Sequence, residues 1–357
     1  MKKHKKNDQS AVEIAEFIQL AEKFPVFDVR TPAEYGNGHI PGAINLPLFS
    51  DDERIVIGAL YKQKGRDPAI LKGLEFVGPK MRGLVEKVRA SALDGTALLH
   101  CWRGGMRSQS VAWLLNTAGL NVFVLKDGYK AFRRFTLEAF ELPRQIYILS
   151  GATGSGKTEI LQHLKSMGEQ VIDLEGLAHH KGSSFGAIGE LPQPRQQQFE
   201  NQLAMAWRNL DPNRPVWLED ESRRIGACSI PPPMWRQMRE TTVFFLDMPV
   251  ALRVQRLLKD YGEFDPRELA AAIARLKKRL GGLNTRLALD ALDAGNLSEC
   301  AALLLTNYYD KAYRFGLSQR DEMLVRSLPA DTPDADQNAR ALLTLARKAT
   351  RTEAVLS

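Results

Sequence analysis

The stretch Gln145-Ile-Tyr-Ile-Leu-Ser-Gly-Ala-Thr-Gly-Ser-Gly-Lys-Thr-Glu159 decides how the second half of this 357-residue chain folds. Ile146 to Ser150 is a short apolar run, predicted as a buried strand. Gly151 to Thr158 matches G-x-x-x-x-G-K-[ST] in full, and a helix is predicted from Glu159 to Lys165. Strand, glycine-rich turn and helix is the context this motif requires. Backbone N–H groups of Gly151, Thr153, Gly154, Ser155 and Gly156 would wrap a diphosphate. Lys157 would reach its terminal phosphate, and Thr158 is a candidate Mg²⁺ ligand.

Further strands are predicted at Val171–Leu174, Val216–Leu218 and Thr242–Leu246, which makes this half an α/β unit. Carboxylates follow two of them. Glu219 and Asp220, with Arg223 behind, stand after one strand, and Asp173 and Glu175 stand around the end of another. They are candidates to hold Mg²⁺ or to support the phosphate site; a solvated acidic loop is the alternative. Arg253 and Arg256 lie one turn apart. They read as a solvated helix face in preference to phosphate-clamping arginines. From Pro266 the pattern is helical, with a basic stretch Arg275–Arg279, and the Ala-, Thr- and Asp-rich tail after about Leu328 is expected to be partly ordered.

The first half carries a different signal. Pro25–Arg30, Ala97–His100 and Asn121–Leu125 are predicted strands alternating with helices, hence a parallel sheet. After the middle strand comes Cys101-Trp-Arg-Gly-Gly-Met-Arg-Ser108, opening a helix. Gly104 and Gly105 let backbone amides turn inward as an anion nest. Arg103 and Arg107 add charge, Met106 and Ser108 complete the turn, and the helix adds its positive end. Together these favour the thiolate of Cys101, the nucleophilic form. His100 reads as a packed strand residue, since alternation turns it away from the loop. The expected divisions are residues 1–141, 142–265 and 266–357, the last a helical region attached to the second.

Composition sets the outer limits. An apolar fraction of 44% with 25% charged residues belongs to an ordinary globular chain, and no apolar run is long enough to span a membrane. The basic N-terminus, Met1 to Lys6, is followed by no apolar signal-peptide core, so a cytoplasmic location without membrane attachment is expected. Three scattered cysteines make neither a disulfide framework nor a metal site. The net charge of +7 favours a polyanionic partner such as RNA. Arg133, Arg134, Arg275, Lys277, Lys278 and Arg279 are candidate phosphate contacts, although a solvated face is the expected role of any single one.

Phe27-Asp-Val-Arg-Thr-Pro-Ala-Glu-Tyr35 and Gly38-His-Ile-Pro-Gly-Ala-Ile-Asn-Leu-Pro47 resemble the opening signature of the rhodanese domain, whose loop cysteine carries sulfur as a persulfide. Asp28 and Arg30 are expected to brace that loop. Rhodanese loops usually have six residues, whereas Cys101 to Arg107 is seven, the Cys-x5-Arg pattern of cysteine-dependent phosphatases. The loop alone therefore leaves two options, phosphomonoester hydrolysis or transfer of a chalcogen from a phosphate-bearing donor.

Taken with the phosphate-binding loop, Leu46–Arg54, Tyr61–Gln63, Gly128–Lys130, Asp173–Ala178, Gly182–Gly186, Leu218–Arg223 and Tyr308–Asp310 resemble the tRNA 2-selenouridine synthases. Lys181 stands where that resemblance leads one to expect arginine, which removes a bidentate grip on phosphate. The resemblance implies an N-terminal rhodanese-like parallel-sheet domain, then a P-loop NTPase-like α/β domain with a helical C-terminal region. It implies conversion of wobble 2-thiouridine in tRNA to 2-selenouridine. The sulfur would first be alkylated from geranyl diphosphate, then replaced by selenium from selenophosphate through a Cys101 perselenide. Partners would be the tRNA anticodon loop and an enzyme supplying selenophosphate, with Mg²⁺ and no tightly bound cofactor. A rhodanese-type sulfurtransferase, or a Cys-x5-Arg phosphatase, with a regulatory P-loop nucleotidase domain is the alternative.

Overall fold

The computed structural model describes residues 11–92 and 94–356; the basic run at the N-terminus lies outside them. The chain divides into two compact units. One is the chain up to Ala139 together with Glu200–Met205, and the other is Phe140–Phe199 with everything from Ala206 onward.

The first unit is built on β1 (Ala11–Val12), β2 (Val26–Asp28), β3 (Ile44–Asn45), β4 (Thr96–His100) and β5 (Asn121–Leu125). Their order in the sheet is β1-β5-β4-β2-β3, and every pair is parallel. β4 is buried along its whole length, as a strand covered on both faces must be. Its pleat sends Leu99 into a cluster with Val29, Leu46, Val111 and Leu115. Leu98 goes the other way, to Phe17, Val26, Tyr129 and Phe132. Two helices of this unit start on reciprocal caps: Thr31 with Glu34, and Ser50 with Glu53.

The second unit has β6 (Ile146–Gly151), β7 (Gln170–Val171), β8 (Val216–Glu219), β9 (Arg224–Ile225), β10 (Cys228–Ser229), β11 (Val243–Asp247) and β12 (Val325–Pro329). Five form a parallel sheet in the order β12-β11-β6-β8-β7, while β9 and β10 make a small antiparallel ribbon. All six residues of β6, at the sheet centre, are buried. Trp217 and Phe244 pack edge-on against Tyr147 with centroids 5.1 and 5.2 Å away, filling the space beside the central strand.

Three local expectations are revised. The strand expected over 171–174 stops at Val171, because Asp173 caps a short helix, Leu174–Ala178, by accepting the Gly176 N–H. The region after Pro266 is not all helix: Val325–Pro329 joins the sheet beside β11. Its half-buried edge position gives it little of the apolar signature that marks an interior strand. The tail is ordered as a helix, Ala335–Leu356, whose Ala339, Leu342 and Ala346 join the core that includes Leu161 and Leu164 of the phosphate-loop helix.

Trp217 is fully buried beside the central strand. Trp217→Ala is expected to lower stability by about 3–5 kcal/mol, from lost burial plus the cavity left behind. The shift in urea midpoint measures it.

Candidate functional site

Each unit presents a loop at the carboxyl end of its central parallel strand, where open α/β sheets bind ligands. In the first unit β4 runs straight into Cys101, which is buried, and the helix Met106–Thr117 starts five residues later. The Ser108 hydroxyl lies 3.2 Å from the Cys101 sulfur and can donate to it. The loop is stitched down from below. Tyr129 N–H donates to the Cys101 carbonyl at 2.8 Å, and Lys130 N–H to that of Trp102 at 3.0 Å. This approach needs glycine. Gly128 has φ +57°, and a Cβ there would lie 2.4 Å from the Cys101 oxygen and 2.6 Å from the Gly104 nitrogen. Gly104 itself sits at φ +62° for the same reason.

Asp28 and Arg30 are wholly buried, with the Arg30 guanidinium 5.9 Å from the ring centroid of Trp102 in the loop. Arg30 Nε donates to Asp28 at 2.9 Å, its terminal nitrogen reaches the Gly38 carbonyl at 2.8 Å, and its guanidinium lies 3.8 Å from the Tyr129 ring centroid. Burial alone would raise the Asp28 carboxyl. His100 and Arg30 outweigh it and hold the group below the usual carboxylate range. His100 is equally buried, with Nε2 3.7 Å from Asp28 and neither ring nitrogen hydrogen-bonded among the described residues. Burial pulls its pKa down to about 4 against the attraction of Asp28.

The two loop arginines separate. Arg107 grips Glu34 through two hydrogen bonds, 2.6 and 3.1 Å, so its charge is already partnered. Arg103 is exposed and has no ion-pair partner among the described residues. Of the two arginines expected to add charge at this loop, Arg107 thus shares its charge with Glu34. Glu34, which also closes the Thr31 cap, is a residue the sequence analysis did not single out.

In the second unit β6 leads into Gly151–Gly156, and the helix Lys157–Ser166 follows. Gly154 and Gly156 adopt φ +83° and +77°, open to glycine at no steric cost. Lys157 Nζ donates to the Gly151 carbonyl at 3.1 Å and folds back over the loop. Thr158 Oγ1 donates to Glu175 at 3.0 Å. Glu219, at the end of adjacent β8, is fully buried and accepts the Leu174 N–H at 3.0 Å. Burial holds its carboxyl well above the ordinary range, and Asp173 and Glu175 push the same way.

Glu221 was not among the predicted site residues, yet it belongs here. It is buried against Gly182, where a Cβ would come within 2.3 Å of its carboxylate. Burial, then the Glu175 charge, raise its pKa well above the carboxylate range, while Lys157 opposes. Its signal in the sequence was only its place two residues beyond a strand end. Asp220 turns elsewhere, to Ser150 and Arg320, and Arg223 is exposed before β9. The oxygen donors Thr158, Glu175 and Glu221 suit a hard cation such as Mg²⁺, which takes one or two carboxylates and completes its shell with phosphate and water.

Arg253 is not on a solvated face. It is buried, binds Asp310 through two 2.8 Å hydrogen bonds, and donates to the Thr153 carbonyl at 3.1 Å. Arg256 pairs with Glu159 at 2.8 Å, and its guanidinium packs against Gly156. Both arginines therefore shape the phosphate loop. Their helix looked solvent-facing because their acidic partners lie far away in sequence.

A model described as the tRNA 2-selenouridine synthase AAA domain matches residues 144–332, and the Rhodanese-like domain matches 13–135. A tRNA 2-selenouridine synthase from Marinobacter nauticus is 37% identical over 85% of this chain and 92% of its own length. Relatives of the same name from Shewanella sediminis and Aeromonas salmonicida are 37% and 38% identical over 84% of this chain, covering 90% and 89% of theirs. The chain belongs to the tRNA 2-selenouridine synthase family. Its fold is accordingly a rhodanese-like parallel-sheet domain followed by a P-loop α/β domain with a largely helical C-terminal region. No helix among the described residues is long and apolar enough to cross a membrane.

Of the basic residues expected at a nucleic-acid surface, Arg133 is engaged with Glu200 and Asn201, Arg275 with the Ser184 carbonyl, and Arg279 with the Tyr308 hydroxyl. Arg134, Lys277 and Lys278 are exposed and carry no ion pair among the described residues. Lys181, the departure from arginine, pairs with Glu190 at 3.3 Å.

His100 makes a pH prediction. Its folded pKa is depressed from 6.5 to about 4, so the unfolded chain binds the extra proton as pH falls. Stability is then expected to decline from about pH 6.5 to pH 4, by about 3 kcal/mol in total. Asp28, whose folded pKa is lowered, loses its contribution only below that range. His100→Gln should flatten the decline when urea midpoints are compared at pH 7.0, 5.5 and 4.5.

Proposed function

We propose that this chain converts 2-thiouridine at the wobble position of tRNA to 2-selenouridine, with the two cradles dividing the work. The observation that carries this is that one chain holds both a cysteine in an anion loop and a complete phosphate loop. It also belongs to a family whose members bear that name.

In the first step the 2-thio sulfur attacks C1 of geranyl diphosphate. A C–S bond forms, the C–O bond breaks, the N3 proton is lost, and diphosphate departs. Lys157 and the amides of Gly151–Gly156 bind that diphosphate and stabilise it as it leaves. Arg256, packed on Gly156 and paired with Glu159, shapes the loop at the same place. Mg²⁺, held by Thr158 with Glu175 or Glu221, would neutralise phosphate charge. In the second step selenium takes the ring carbon and geranylthiol leaves. Alkylation serves this step, since an S-alkyl group departs more readily than the parent sulfur.

Cys101 handles selenophosphate. Two routes differ in electron balance. Uptake of selenium as Cys101–S–SeH expels phosphorus two electrons richer, as phosphite. Attack of the thiolate on phosphorus instead forms S-phosphocysteine and frees hydrogen selenide, which adds to the ring carbon; water then releases phosphate. The seven-residue ring, with room for a tetrahedral phosphate, and the Ser108 hydroxyl 3.2 Å from the sulfur favour the second route. Phosphate or phosphite in the phosphorus NMR spectrum of the product mixture tells them apart.

The target base leaves its stack to be reached, which an anticodon loop makes cheap. Arg134, Lys277 and Lys278 are the free charges for its phosphates. An enzyme making selenophosphate supplies the donor. Cys101→Ser is expected to abolish selenium incorporation and spare geranylation. Lys157→Ala is expected to reduce geranylation at least about a hundredfold while pre-geranylated tRNA is still converted. Mass spectrometry of tRNA nucleosides reads both, and intact geranylation in Lys157→Ala would remove the P-loop from the first step.

A further inference from the structure

Beside the phosphate loop lies a pocket that no polar ligand would fill. It is a recess open to solvent, with a volume of about 90 Å³, lined by Leu257, Tyr261, Ile273, Leu292, Ala301 and Leu304 among others, with Thr153 of the phosphate loop in its wall. The loop and the pocket are in contact: a Cβ on Gly154 would lie 3.0 Å from Leu257 Cγ. One water needs ~10–15 Å³ by this measure, so the space is that of about six waters, or ~180 Å³ of liquid. An apolar recess of this size next to the phosphate loop has the shape of a ligand-binding site.

The lining decides the ligand class. Its side chains are almost wholly aliphatic and aromatic. The few polar atoms, from Thr153, Ser183, Tyr261 and Tyr309, cannot satisfy the ring nitrogens and exocyclic groups of a nucleobase. An apolar lining of this kind gains by covering hydrocarbon in place of water. A second observation marks the wall as specialised. Leu305 and Tyr309, both lining residues, belong to a π-helical turn, Leu305–Tyr309, inserted between the helices Leu297–Leu304 and Asp310–Ser318. Such turns recur at functional sites, because they shift side chains out of α-helical register. Asp310, directly after the turn, is the residue that anchors Arg253 and through it the Thr153 carbonyl.

We infer that this pocket receives the isoprenoid chain of the diphosphate donor, while the phosphate loop holds its diphosphate, so that the P-loop of this chain is built for a prenyl diphosphate and not for a nucleotide. The inference rests on the proposed role of the P-loop in geranylation and adds where the chain lies and which residues measure its length.

Calorimetric titration of the full-length protein with inorganic diphosphate, dimethylallyl diphosphate and geranyl diphosphate tests it. Geranyl diphosphate should bind at least about tenfold more tightly than the five-carbon donor, as expected for five more buried carbons. Ala301→Phe, which fills the pocket, should erase that difference and leave inorganic diphosphate unchanged; Lys157→Ala should weaken all three. Diphosphate binding that depends on Lys157 but ignores both chain length and Ala301→Phe would overturn the pocket while leaving the P-loop role standing. Absence of any Lys157-dependent diphosphate binding would overturn both. A measurement on the unaltered protein guards against a misfolded variant. Cys300 lines the pocket, so geranyl diphosphate, and not inorganic diphosphate, should slow its modification by ethylmercury in peptide mapping. Equal modification with either ligand would overturn the inference.

Discussion

The contact on which the first site depends is backbone on backbone. Gly128 passes so near the Cys101 carbonyl that any side chain there would collide with it. That close approach lets Tyr129 and Lys130 donate their N–H groups into the loop. A seven-residue loop left to itself would sample many shapes. Pinned by two hydrogen bonds beneath and by the helix from Met106 ahead, it holds one. The buried Asp28–Arg30 pair extends the same constraint sideways, since Arg30 touches Asp28, Gly38 and the Tyr129 ring at once. Removing one partner of such a buried pair leaves an uncompensated charge, so the brace is stiff as well as specific.

The second site works on opposed charge. Glu175 accepts from Thr158, Glu221 lies near Glu175 and Lys157, Glu219 lies near Asp173 and Glu175, and desolvation makes Glu219 and Glu221 poor anions. Arg253 lies beneath the site with its charge neutralised by Asp310, serving to hold the loop carbonyl at Thr153.

Much of this was legible beforehand. The strand–loop–helix units around Cys101 and Lys157 could be read because each is contiguous, and glycines mark where the backbone must take up positive φ. β12 was not, since an edge strand buries too little to leave a period-two signature. The tail helix was harder to read because many of its apolar residues are alanines, and only packing against the phosphate-loop helix makes Ala339, Leu342 and Ala346 part of a core. Asp173 ended a strand early by capping, a local competition that an apolar run conceals.

The amino-acid sequence by itself determined that there are two strand–loop–helix turns, and which cysteine, lysine and threonine stand in them, because those residues lie within a few positions of the turns. Only the tertiary structure decided what the charges do. Arg107 meets Glu34 from 73 residues away and Arg253 meets Asp310 from 57, pairings that no local pattern ranks above solvent. The same holds for the burial of Glu221 and for the apolar pocket beside Thr153. Both arise where distant segments pack, and packing is a property of all the surfaces present at once.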